Sequence, residues 1–109
     1  MRNFITFVFF VLAIASYGQK RFFAQAALTT RSKDTLSLIE SQLKKNPSVL
    51  VVRVDPLNYT VLIFTNEMEA FSLDRFLQIL GEFTSLINCA RVGEMHKDKI
   101  EAFPFRNCQ

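Results

Sequence analysis

The fold is decided by residues 48–65, which read SVLVVRVDPLNYTVLIFT. Residues 48–54 and 59–65 are both short, apolar and rich in β-branched side chains, a composition typical of buried strands. Between them, residues 55–58 read DPLN. Asp accepts local backbone hydrogen bonds, Pro fixes φ at the second turn position, and Asn tolerates an unusual φ. The stretch therefore predicts a β-hairpin.

A helix is predicted before the hairpin. Its apolar residues Leu36, Ile39 and Leu43 recur on one face at helical spacing. Either Ser32 or Asp34 can cap its first turn. The Asn-Pro pair that precedes the hairpin ends this helix, because proline cannot continue it.

A second helix is predicted after the hairpin. Ser72 caps its start, its buried stripe runs to Leu80, and Gly81 supplies the left-handed residue that ends it. One longer helix that continues to Cys89 is the alternative. We favour the break, with residues 86–92 as the final strand.

Residues 21–28 can be read as strand or helix. Phe22, Phe23 and Leu28 favour a buried strand, whereas the alanines between them favour a helix. The strand interpretation fits the order of the later elements and completes a βαββαβ pattern. This order predicts an α+β, ferredoxin-like sandwich with a four-stranded antiparallel sheet and two helices on one face. Residues 19–93 form this domain, and residues 94–109 form a C-terminal tail.

Residues 1–18 have the layout of a secretory signal peptide. The positive Arg2 precedes an apolar run, and small residues at Ser16 and Gly18 follow it. A membrane anchor is the alternative, but a spanning helix needs about 20 apolar residues and this run is shorter. We expect cleavage after Gly18, with Ala15 as the second choice. The predicted location is therefore secreted or periplasmic, with no membrane contact once the signal is removed.

Charge argues against nucleic-acid binding. The whole chain carries a net charge of +3, and removal of Arg2 with the signal leaves +2. Nucleic-acid readers concentrate Lys and Arg on one face, whereas the basic residues here are scattered along the chain. We expect no nucleic-acid partner.

The sequence contains no recognisable catalytic motif. His96 is the only histidine and lies in a polar segment, and no Gly-x-Ser-x-Gly stretch is present. The three glycines are too far apart to form a phosphate-binding loop. We therefore predict that the chain is not an enzyme, with no catalytic residue and no cofactor.

The two cysteines, Cys89 and Cys108, are predicted to pair. In an exported chain two lone cysteines most simply form a disulfide, and closing a loop of this size constrains the unfolded chain by about 3 kcal/mol. A metal site that also uses His96 is the alternative. Its spacing matches no established zinc pattern, so we assign no metal ligand.

About half of the chain resembles heavy-metal-associated domains, the small copper-chaperone fold. The resemblance lies in residues 36–43 (LSLIESQL), 46–55 (NPSVLVVRVD), 59–64 (YTVLIF) and 72–81. It implies the same ferredoxin-like fold. That family binds copper through a Cys-x-x-Cys pair after its first strand, because soft copper(I) prefers sulfur. The matching loop here reads TTRSKD and has no Cys, Met or His, so the metal site does not carry over.

The predicted strands are apolar on both faces, although an open sheet face should be partly polar. Something must therefore cover the face that lacks helices. We favour the C-terminal tail, pinned through Cys108 to Cys89. A second copy in a homodimer, or a protein partner docked on the open sheet face, is the alternative. The residues assigned to this partner or tail-packing face are Leu50, Val52, Val54, Phe103 and Phe105, with Ile100 beside them in the tail.

These observations predict a small exported, non-catalytic binding or accessory module. One alternative is an exported metal carrier that uses Cys89 and Cys108 as reduced ligands. Another is a secreted signalling or effector protein; in a eukaryotic source, Asn58 would be a glycosylation acceptor.

Overall fold

The structure is a computed structural model that describes residues 19–106 and 108. The predicted signal peptide, residues 1–18, lies outside the described residues. Within the described part of the chain, no helix is both long enough and apolar enough to cross a membrane.

Four strands and two α-helices follow one another in the predicted βαββαβ order. The sheet order is β2-β3-β1-β4, and each neighbouring pair is antiparallel. This is the ferredoxin-like α+β fold, and it confirms the strand interpretation of the first element. The elements are β1 (Phe22–Leu28), α1 (Lys33–Lys45), β2 (Val49–Asp55), β3 (Thr60–Thr65), α2 (Leu73–Leu80), a 3₁₀ helix (Gly81–Leu86) and β4 (Ile87–Glu94).

Both helices cover the same face of the sheet. Alternate strand residues, such as Ala24, Ala26 and Ile63, point at them and are fully buried. Ala24 and Ala26 of central strand β1 are part of this core, so burial within the sheet outweighs the helix preference of alanine. The helices contribute Leu36, Ile39, Leu43, Phe76, Ile79 and Leu80 to this core.

Serine caps both helices. Ser32 Oγ accepts a hydrogen bond of 3.2 Å from the backbone N–H of Thr35, so Ser32, of the two predicted candidates, is the N-cap of α1. Ser72 Oγ accepts an equivalent bond of 3.2 Å from Arg75. Each cap pairs an N–H group that has no partner within its helix.

The predicted break at Gly81 is confirmed. Gly81 has a φ of +59°, which is the left-handed region that favours glycine. The Gln42 amide donates to the carbonyls of Ile79 and Leu80 at 3.0 and 2.8 Å, pairing two of the last carbonyls of α2. The chain continues as a 3₁₀ helix, and β4 starts at Ile87, one residue later than predicted.

The face assigned to Val52 and Val54 is corrected by the structure. The pairing of β2 with β3 shifts between Val49 and Val51, so Leu50 is the extra residue of a bulge and is 51% exposed. Val52 and Val54 instead pack against the helix-covered core. Side chains alternate between the two faces of a strand, so the sequence shows which residues share a face. It does not show which face meets the helices when both faces of the strand are apolar.

Candidate functional site

The sheet face without helices is called the open face here. The strand register arranges it in three rows that cross β2, β3, β1 and β4 in that order. The middle row mixes charged, apolar and amide side chains, unlike the two all-apolar rows on the core side, which are Val52–Ile63–Ala24–Val92 and Val54–Val61–Ala26–Ala90. The rows are Val51–Phe64–Phe23–Gly93, Arg53–Leu62–Gln25–Arg91 and Asp55–Thr60–Ala27–Cys89.

A segment that we call the strap, residues 99–106 with Cys108, lies on the β1 and β4 side of this face. The strap is held by Gln25 of central strand β1. Gln25 is buried, with only 4% of its surface exposed. The Gln25 side-chain amide donates to the backbone carbonyl of Glu101 at 2.7 Å and accepts from the backbone N–H of Glu101 at 3.1 Å. The buried amide is thereby paired on both sides by the strap main chain, as burial of a polar group requires.

Arg91 of β4 bonds both to Gln25 and to the first residue of the strap, Lys99. Its Nη1 donates to Gln25 Oε1 at 2.6 Å and to the Lys99 carbonyl at 3.0 Å. Its Nε lies 3.7 Å from Glu101 Oε2, and its guanidinium lies 5.4 Å from the centroid of the Phe23 ring. Arg91 therefore combines charge-assisted hydrogen bonds with a cation–π contact.

The far end of the strap is fixed covalently. The predicted disulfide between Cys89 and Cys108 is present, with 5.3 Å between the two Cα atoms, within the usual range for a bridge. Cys108 is exposed to solvent. A disulfide of this kind is consistent with an oxidising, extracellular compartment.

The strap leaves the β2 and β3 side of the open face uncovered and forms one wall of a groove there. The groove has a volume of about 440 Å³. Two of its wall residues remain largely accessible, with Ile100 40% and Phe103 46% exposed. Its floor includes Arg53, Thr60 and Leu62, and its wall includes Ile100, Phe103 and Phe105.

Arg53 is the basic side chain that lines this groove. It is exposed and makes no hydrogen bond or ion pair with any other residue that the structure describes. The neighbouring acidic group, Asp55, is engaged in the hairpin turn. Its carboxylate accepts from the backbone N–H of Leu57 at 2.9 Å and from the Asn58 side-chain amide at 2.9 Å. These hydrogen bonds favour the charged form and hold the pKa of Asp55 below its ordinary value of 3.8.

Only part of the predicted face is brought together. Phe103 and Phe105 line the groove as parts of the strap, and Val54 borders it. Val52 and Val54 nevertheless pack against the core, and Leu50 lies in the β2 bulge. The tail therefore lies on this face, where its main chain bonds to Gln25, whereas the prediction assigned Val52, whose side chain packs against the core, to the wrong side of the sheet.

The loop that joins β1 to α1 is the one that we expected to match the copper-binding loop of heavy-metal-associated domains. Its Thr29 hydroxyl donates to the Leu86 carbonyl at 3.2 Å, and the Arg31 guanidinium lies 5.2 Å from the Tyr59 ring centroid. Among the residues that the structure describes, no group of three or more His, Cys, Asp or Glu side chains is placed to hold a metal ion.

The residues that hold the strap were not identified from the sequence. Gln25 is the only polar residue within the FFAQAAL stretch of β1. A lone polar residue in an apolar strand was the one sequence feature that could have pointed to it. Its partners Arg91 and Glu101 are 66 and 76 residues away in the chain, so no local pattern connects them to it.

No protein-family model matches this chain, and no curated protein matches it. Among solved structures, the chain is similar to the one described as "Crystal structure of PH0061", with a TM-score of 0.49 and 10% sequence identity. The match covers 75% of this chain and 56% of that chain. The chain thus spans little more than half the length of that protein, and the likeness carries no argument about function.

Proposed function

We propose that this chain is a small exported, non-catalytic binding module whose contact surface is the groove between the β2–β3 hairpin and the strap. The observation that carries the proposal is the partial cover of the open face. The strap buries Gln25 but leaves Ile100 and Phe103 40% and 46% exposed beside the hairpin. A segment that served only as a cover would be expected to bury its large apolar side chains.

The size and lining of the groove suit a small ligand or one side chain of a partner. Its volume of about 440 Å³ lies within the range of roughly 300–1,000 Å³ that is usual for ligand pockets. The groove is also lined by the acidic residues Asp55 and Glu101. Because Asp55 is bonded within the hairpin turn and Glu101 is paired with Arg91, Arg53 is the charged group in the lining that a ligand can pair. The walls offer Phe103 and Phe105, and the floor offers the Arg53 guanidinium. We therefore expect an apolar ligand with an acidic group that reaches Arg53.

The proposal can be tested with the amphipathic dye 8-anilinonaphthalene-1-sulfonate, which joins an apolar ring system to a sulfonate. We expect the folded, oxidised protein to bind the dye with enhanced fluorescence. Phe103→Ser should weaken binding about fivefold, since about 1 kcal/mol of apolar contact is lost. Arg53→Gln should weaken it as well, because the sulfonate loses its counter-charge.

Leu38→Ser is the matched control. Leu38 is 60% exposed on α1, a helix that covers the other face of the sheet. This variant removes an exposed apolar side chain without altering the groove, so dye binding should stay unchanged. Equal losses in Phe103→Ser and Leu38→Ser, or no dye binding by the folded protein, would contradict the proposal. Circular dichroism should establish that each variant is folded.

The metal-carrier alternative makes a different prediction about the cysteines. Copper or zinc binding needs thiolates, and in the structure both sulfurs are bonded to each other. Thiol titration and metal analysis of purified protein separate the two functions. Two free thiols with bound metal would favour a carrier, whereas oxidised cysteines without metal would favour the binding module.

A further inference from the structure

Several polar and covalent links between the strap and the domain are made by its main chain and one sulfur atom. Gln25 contacts the backbone N–H and carbonyl of Glu101, and Arg91 contacts the carbonyl of Lys99. The Arg91–Glu101 ion pair at 3.7 Å adds a side-chain contact. None of these groups requires that the strap belong to the same molecule as the sheet, so the strap of a second copy satisfies them equally well.

The connection between β4 and the strap is a tight turn under backbone strain. His96 has a φ of +69°, in the left-handed region that L residues other than glycine rarely adopt. The turn is closed by backbone hydrogen bonds to the Glu94 carbonyl from Lys97 at 3.2 Å and Asp98 at 2.9 Å. The Asp98 carboxylate also accepts from the Glu94 N–H at 2.8 Å. These residues are exposed apart from Glu94, so water can replace the bonds when the turn opens. Short hinge loops under strain favour exchange of the segment that follows them.

We propose that two copies of this chain exchange straps. In the exchanged dimer, Gln25 and Arg91 of each copy hold residues 99–101 of the other, and each Cys89 is bonded to the partner's Cys108. Each groove then has a floor from one copy and a strap wall from the other. The partner therefore completes the site, and this inference does not depend on which ligand the groove binds.

The disulfide step needs a small-molecule thiol, but it needs no net oxidation. A thiolate attacks the Cys89–Cys108 bond, forms a mixed disulfide with Cys108 and releases Cys89 as a thiolate. Cys89 of the second copy, freed in the same way, attacks the Cys108 sulfur and expels the small thiol. Two bonds within chains are thereby replaced by two bonds between chains, and the thiol is recovered.

The test mixes two full-length variants that cannot form the bond within one chain. Cys89→Ser supplies a strap with Cys108, and Cys108→Ser supplies a sheet with Cys89. In a glutathione redox buffer we expect a covalent heterodimer, with a Cys89–Cys108 link identified by peptide mass mapping. Adding Gln25→Leu to the Cys108→Ser chain should reduce its yield at least fivefold, because the receiving sheet no longer binds the incoming strap.

Gln78→Leu in the same chain is the matched control, since Gln78 is an exposed glutamine on α2. It should leave the yield unchanged. A heterodimer whose yield is insensitive to Gln25, or links only between identical cysteines, would show random oxidation and overturn the proposal. Absence of any Cys89–Cys108 link between folded chains would overturn it as well.

A second measurement uses chains that keep both cysteines and so does not depend on the folding of the single-cysteine variants. Wild-type protein reoxidised at high concentration should give a disulfide-linked dimer in size-exclusion chromatography with light scattering. His96→Gly should lower the dimer fraction several-fold, because glycine removes the strain in the closed turn. A wild type that remains entirely monomeric, or a His96→Gly variant with an unchanged dimer fraction, would contradict strap exchange.

Discussion

Gln25→Leu tests whether one buried amide holds the strap on the open face. The variant removes the hydrogen bonds of Gln25 with the Glu101 carbonyl at 2.7 Å, with the Glu101 N–H at 3.1 Å and with Arg91 at 2.6 Å. Two neutral bonds contribute about 1 kcal/mol each and a charge-assisted bond about 2 kcal/mol. Burial of leucine in place of the amide returns about 1–2 kcal/mol. We therefore expect the free energy of unfolding to fall by about 2–3 kcal/mol.

The assay is urea unfolding of the oxidised protein, followed by circular dichroism, with hydrogen exchange of the Glu101 amide measured by NMR. Gln78→Leu on the exposed side of α2 should change stability by less than about 0.5 kcal/mol. The Glu101 amide should exchange faster in Gln25→Leu only. A loss below about 0.5 kcal/mol with an unchanged Glu101 exchange rate would refute this reasoning.

Gln25→Leu should lower the free energy of unfolding by a smaller amount once the disulfide is removed. In a Cys89→Ser/Cys108→Ser background the strap can detach and let water pair the freed groups of Glu101. The loss from Gln25→Leu then cannot exceed the free energy that holds the untethered strap on the sheet. A double-mutant cycle should therefore show coupling between Gln25 and the disulfide, and strict additivity would contradict it.

Further predictions concern the strap, the sheet, the turn and the N-terminus. Cys108→Ser should lower the free energy of unfolding by about 3 kcal/mol, measured by urea unfolding; a midpoint equal to that of the oxidised wild type would exclude this effect. Gly93→Ala places a Cβ 2.7 Å from Phe23 Cε1 and should destabilise the fold by about 1–3 kcal/mol through overpacking; thermal unfolding checks this, and an unchanged Tm would contradict it. The pKa of Asp55 lies below its ordinary value of 3.8 because of its turn hydrogen bonds, so its stabilisation is present above that pH and is lost as pH falls through the lowered pKa. NMR titration of the carboxyl should show this, Asp55→Asn should flatten the acid dependence of stability, and a pKa at or above the ordinary value would disprove it. N-terminal sequencing of the exported protein should give a chain that starts after Gly18, and retention of residues 1–18 would contradict the signal-peptide prediction.

The elements of the fold were predictable because their signals are local. The hairpin turn, the serine caps and Gly81 act within a few residues of their own position. The structure accordingly matches the predicted element order, with boundaries that differ by one or two residues. The predicted disulfide also follows from composition, because the chain contains two cysteines and no others.

The groove and its residues were less accessible to prediction. Phe103 and Phe105 were assigned to the covering segment because aromatic residues near Cys108 needed a partner surface. The β2 residues beneath were misassigned because both faces of that strand are apolar and Leu50 forms a bulge. Arg53, which lines the groove, was overlooked since a single charge in an apolar strand also fits an exposed edge.

The sequence by itself determined the secondary structure, its order and the pairing of the two cysteines, because periodicity, capping and composition act locally or by elimination. Tertiary structure alone decided which sheet face meets the helices and that Gln25 holds the strap through Glu101. Those contacts join residues 76 positions apart, and their free energy depends on burial that exists only after the sheet has formed.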